Sequence, residues 1–117
     1  MEKIIKLGEK EIPLKATAMN MVIYRSQFGK DFMEVAGSIV KAGASEDYDK
    51  IDGLGVARLI WTMAKTYDKD FLPFEKWFEE LEAFPIMDVL ADTMELIMVN
   101  LTSTTTIRSK NATRAVK

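Results

Sequence analysis

Two prolines, Pro73 and Pro85, fall inside a stretch that is otherwise patterned for helix, and they limit what the C-terminal half of the chain can become. A proline has no backbone N–H to donate, and its ring clashes with the preceding turn, so neither residue can sit in a helix interior. Both are tolerated in a first turn, where the N–H would have no partner anyway. Pro73 therefore opens a short helix over FEKWFEELEAF, with Phe74, Trp77, Phe78 and Leu81 on one side. Pro85 ends that helix and opens another, from Ile86 to about Leu101. On a helical wheel, Ile86, Val89, Leu90, Thr93, Met94, Ile97 and Leu101 form one stripe, and Asp88, Asp92 and Glu95 lie opposite. The third proline, Pro13, lies in the second of two short apolar segments, residues 2–7 and 11–16, which flank a turn at Gly8-Glu9-Lys10. It cannot donate to a ladder, so its strand belongs at an edge or carries a bulge.

Other punctuation completes the pattern. Thr17 is placed to cap a helix over AMNMVIYRSQF, and Gly29 follows where a left-handed residue ends it. Asp31 then caps FMEVAGSIVKA, which ends near Gly43. After the acidic connection ASEDYDKIDG comes a helix from about Leu54 to Tyr67, with Leu59, Ile60, Met63, Ala64 and Tyr67 at i, i+3, i+4 spacing. The expected fold class is mainly α with a small N-terminal β-hairpin (α+β): a hairpin over about 2–16, then about five helices. Two strands alone are marginal, so the hairpin must lie on the helices. Residues 1–101 make one domain. Residues 102–117, hydroxyl-rich and basic, are too poor in apolar side chains to order themselves and read as a flexible tail.

Much chemistry is excluded. The chain has no cysteine and no histidine, so disulfides, thiolate nucleophiles, soft metal sites and Ser-His or Cys-His relays are all ruled out. Gly29-Lys30 is not a phosphate cradle: Tyr24 stands where the first glycine belongs, and Asp31 where a hydroxyl belongs. Asp47 and Asp49 have calcium-loop spacing, but Ile51, Asp52 and Arg58 occupy the next decisive positions. No catalytic residue, metal ligand or cofactor site is expected. Formal net charge is −2, while Arg108, Lys110, Arg114 and Lys117 give the last ten residues no acid at all. That balance offers no general reason for nucleic acid or an anionic membrane as a partner. The N-terminal MEKIIKLGEKE contains no apolar stretch of signal-peptide type, and no run is long enough to span a membrane, so a reducing cytoplasm is expected.

Several features have two readings. The first two helices make a corner that could read DNA, although the second offers Asp31 and Glu34 against Lys41, a poor surface for phosphates. Trp61, Phe74, Trp77 and Phe78 could stack bases, but their helical spacing without surrounding cations suits a core. Asp88, Asp92 and Glu95 make a solvated face or a docking surface for a basic helix. The seven internal methionines fill core gaps or let a surface adapt to several partners.

Four segments, in order and at their separations, carry a resemblance: LKATA (residues 14–18), YRSQFGKDF (24–32), LIWTMAKT (59–66) and PFEKWFEEL (73–81). Across residues 2 to about 101 the chain resembles the tail assembly chaperones of long-tailed phages and prophages of Gram-positive bacteria. The resemblance implies a non-enzymatic role: binding the tape-measure protein, a very long and mostly helical chain, and keeping it soluble while subunits of the major tail (tube) protein polymerise around it. It also implies homo-oligomers, work in the host bacterial cytoplasm, absence from the mature virion, and in many phages a frameshifted longer product. It supplies no catalytic residues and no residue-level binding motif. On this basis Phe71, Phe74, Met94 and Met98 are expected to line a groove beside the last two helices, with Asp88, Asp92 and Glu95 meeting basic residues of the client. The alternative is a small helix-turn-helix DNA-binding regulator.

Overall fold

The computed structural model describes residues 1–103, in which an antiparallel hairpin is followed by five α-helices. The strands are β1 (Glu2–Leu7) and β2 (Lys10–Lys15), and Ile5 lies opposite Ile12. Alternation sends Ile5, Leu7, Ile12 and Leu14 to one buried face. The turn is two residues, one fewer than expected, because Gly8 takes φ +63° and closes it at Gly8-Glu9, releasing Lys10 to pair with Leu7. In a two-residue hairpin that flanking pair exchanges hydrogen bonds, and the pairs alternate from there. Pro13, three pairs on and opposite Ile4, thus falls at a site where no N–H faces the partner strand. The strand absorbs it without a bulge. Met1 and Ala16 close the far end, with the Ala16 N–H donating to the Met1 carbonyl at 2.8 Å.

The helices are α1 (Met19–Phe28), α2 (Phe32–Ala44), α3 (Gly53–Tyr67), α4 (Phe74–Glu79) and α5 (Ile86–Met98). The Thr17 hydroxyl accepts from the Met19 N–H at 3.2 Å, the Asp31 carboxylate from Met33 at 3.0 Å, and the Asp52 carboxylate from Leu54 at 3.1 Å. Each satisfies an N–H that the first helical turn leaves without a partner. Gly29 ends α1 at φ 69°, its N–H donating to the Arg25 carbonyl at 2.9 Å.

The axis of the molecule is α3. It packs against β2 and against α1, α2, α4 and α5. Val56, Ala57, Leu59, Ile60, Trp61, Met63 and Ala64 are all buried, so this helix is apolar nearly all round, as a central helix must be. Tyr67, expected in its stripe, lies past the packed region and is exposed. The hairpin rests on the helices as anticipated, β2 against α3 and β1 against α5.

Two helices end differently from their expected limits. The fourth stops at Glu79, well short of Phe84. Glu79, Glu80 and Glu82 crowd what would be its C-terminal turns, where the backbone dipole already places negative charge. Pro85 also disfavours a helical Phe84. The chain instead turns so that the Phe84 ring meets Phe78 at 5.5 Å and Trp77 at 6.5 Å between centroids. At its C-terminal end α5 widens into a π-helical segment, Val99–Ser103. There the Asn100 amide donates to the Thr17 carbonyl at 2.9 Å. The expected flexible tail, apart from its first two residues, lies outside the described residues.

Candidate binding surface

The residues expected to bind a partner lie in two places. Phe74 is only 8% exposed, in an aromatic cluster with Phe28 at 5.3 Å, Phe78 at 5.5 Å, Trp77 at 6.1 Å and Trp61 at 6.3 Å. Phe71 is half-buried, 6.0 Å from Trp77. Both rings are taken up by packing α4 onto α3. Met94 and Met98 belong to α5 and are half-buried, with Met94 set against the core. Asp88, Asp92 and Glu95 are exposed together on the outer face of α5, and Glu95 accepts from Lys3 at 3.3 Å. The acids form one face; the two apolar pairs are bound into different contacts.

Among the described residues, the helix with the most exposed large apolar side chains is α1. Met19, Met21 and Val22 are 52%, 37% and 57% exposed, while the inward position between them is held by a polar side chain, Asn20. The Asn20 amide is fully buried. It donates to the Lys15 carbonyl at 3.1 Å and the Thr66 hydroxyl at 2.8 Å, and accepts from the Thr17 N–H at 3.2 Å and Asn100 at 3.4 Å. This one side chain joins the hairpin's exit, α1, α3 and the end of α5. With Asn20 and Tyr24 turned inward and Ile23 and Phe28 packed against the core, Met19, Met21 and Val22 are left facing out.

Beside that face runs a groove of about 420 Å³ whose lining includes Met19, Val22, Ile23, Trp61, Lys65 and Lys69. The Trp61 indole N–H donates to the Leu72 carbonyl at 2.7 Å, so the ring's one polar group is already satisfied. Lys65 lines the groove while its ammonium reaches the Phe71 carbonyl at 3.2 Å. On the other flank Val22 also lines a shallower depression with Met21, Arg25, Ser26 and Asp31. Val22 is thus a ridge shared by both hollows. No acidic side chain lines the groove itself, and among the described residues no carboxylate lies within ion-pair distance of Arg25, Lys65 or Lys69.

A third hollow, between the hairpin turn and the loop after α4, is lined by Glu9, Lys10, Glu80 and Glu82, with Lys10 and Glu80 paired at 3.2 Å. Among the described residues no cluster of three or more carboxylates could hold a metal ion. Burial pushes the Tyr24 hydroxyl above the ordinary 10.0, and the nearby Arg58 guanidinium opposes part of that rise. Arg58 itself lies over the Phe28 ring, 5.1 Å from its centroid. This is core chemistry.

Sequence reasoning looked for a groove beside the last two helices and did not anticipate this surface on α1. The available signal was α1 itself, where MNMVIYRSQF carries more apolar residues than one stripe can hold. No protein-family model, no curated protein and no solved structure matches the chain.

Proposed function

We propose that the chain is a non-enzymatic phage tail assembly chaperone that binds the tape-measure protein and helps tail-tube assembly. The observation that carries this reading is the outward apolar face of α1, with its groove against α3. A small domain with a well-filled core gains nothing in its own fold from leaving Met19, Met21 and Val22 in water. Such a surface suits a partner whose own apolar face needs cover. Methionine adapts its shape to varied contacts, which fits a long helical client offering many similar segments. The ordered set of four sequence segments supports the same family.

The remaining parts of the proposal follow from the resemblance: self-association, an encounter with the major tail protein, work in the host cytoplasm and absence from the finished particle. The acidic outer face of α5, with Asp88 and Asp92, is a second contact open to basic residues of the client. The corner of α1 and α2 gives a DNA-reading role little support, because the start of its second helix exposes Asp31 and Glu34. Among the described residues, no helix is long and apolar enough to cross a membrane.

Co-expression tests the reading. The tape-measure protein is expected in the soluble fraction when this chain is present and in the pellet when it is not. A client equally soluble in both cultures contradicts it.

A further inference from the structure

We infer that the groove between α1 and α3 receives one amphipathic helix whose apolar seam is flanked by acidic residues. The inference rests on the chaperone reading for the source of that helix, but not for the chemistry of the groove. Three observations lead to it.

The walls are two helices whose backbone groups are bonded within themselves, so an extended peptide would find no free ladder to join. A helix brings its own backbone already satisfied and needs only side-chain complementarity, the helix-in-groove mode. The floor and ridge are apolar: Met19, Val22, Ile23 and the Trp61 ring. The charge is one-sided. Lys65, in the last turn of α3, and Lys69, in the turn just past its C-terminal end, edge the groove, and no acid lines it, although the chain as a whole is negative. Arg25 stands on the far side of the Val22 ridge, near Asp31. Glutamates or aspartates flanking the incoming seam meet these cations, whereas lysines there are repelled.

The same charge argument sets aside two other occupants. Residues 108–117 of this chain carry four cations and no acid, the wrong sign for this rim. A second copy could offer the acidic face of α5, but the apolar stripe of that helix (Val89, Leu90, Leu96, Ile97) is buried at home. Only Met87, 49% exposed, remains beside Asp88 and Asp92 as an apolar anchor.

The probes are two synthetic helical peptides with the same leucine seam, one flanked by glutamates and the other by lysines, titrated into the full chain by fluorescence anisotropy. The glutamate peptide is expected to bind at least about tenfold more tightly than the lysine peptide at low salt, with the gap narrowing as salt screens the rim. Val22→Asp is expected to weaken the glutamate peptide by about tenfold or more, and Lys69→Glu to remove most of its advantage over the lysine peptide. A thermal melt checks each variant for folding. Should Val22→Asp unfold, Ser26→Glu on the same wall, at an exposed position, is expected to weaken the glutamate peptide alone. Equal binding of the two peptides overturns the proposal. So does binding that these substitutions leave untouched, or a dimer that Val22→Asp converts to monomer while neither peptide binds. A client soluble without this chain would retire the chaperone reading and leave a measured peptide preference standing.

Discussion

Asn20 carries an unusual share of the connections in so small a domain. Its amide is buried among partners that lie 3, 5, 46 and 80 residues away in sequence, and each would lose a hydrogen bond if the side chain were cut back, although the Thr66 hydroxyl and the Asn100 amide keep their bonds to the Thr62 and Thr17 carbonyls. Replacing Asn20 with Ala is therefore expected to destabilise the fold by roughly 2–3 kcal/mol, the scale of stranding buried donors and acceptors. Urea unfolding checks this, and a loss under about 0.5 kcal/mol would mean that the partners find other bonds. Nothing local in the sequence announces the role, because an asparagine near a helix start reads as a cap or a solvated position. The neighbouring Tyr24 makes a pH statement. Its folded pKa is raised by burial, so the protonated ring favours the fold. The contribution is fully present below 10.0, the unfolded value, and is lost as pH rises from there through the folded value. Stability measured against pH is expected to fall on that alkaline limb, and the fall is expected to be shallower in Tyr24→Phe. An identical limb in the two proteins would contradict the assignment to Tyr24.

Among the elements, the punctuation and the extents of α1, α2 and α3 were legible, and the C-terminal limits of α4 and α5 were not. The hairpin, the capping roles of Thr17 and Asp31 and the left-handed Gly29 follow from side-chain chemistry within a few residues, and all are present. The limits of α4 depend on where three glutamates and Phe84 can go once the aromatic cluster has formed, which the local pattern does not contain. Two glycines give opposite predictions. Gly29 has open space around it but a positive φ, so Gly29→Ala is expected to destabilise by roughly 1 kcal/mol through backbone strain alone. Gly37, inside α2, has open space and an ordinary helical backbone, so Gly37→Ala is expected to stabilise by roughly 0.5–1 kcal/mol. Thermal melts of the two variants should shift in opposite directions. A shared direction would remove the backbone argument.

The whole molecule is organised by a conflict at α1. One helix must close the core with Tyr24 and Phe28, hold the Asn20 network, and still place Met19, Met21 and Val22, and the outward surface is the consequence. The sequence makes the excess of apolar residues in α1 visible, but not which of them turn out. That depends on α3, whose Thr66 and Trp61 meet α1 from far along the chain. Phe74, whose helical spacing already suited a core, is buried against Phe28, Trp61 and Phe78, which leaves little of its ring to line the groove expected there. The account stands on the claim that the α1 face covers another chain. The most direct measurement is the soluble yield of the tape-measure protein co-expressed with the wild-type chain, with Val22→Asp and with Asp92→Asn. The account predicts that a folded Val22→Asp loses most of the client to the pellet while Asp92→Asn retains at least half of the wild-type effect. Full solubilisation by folded Val22→Asp would contradict it.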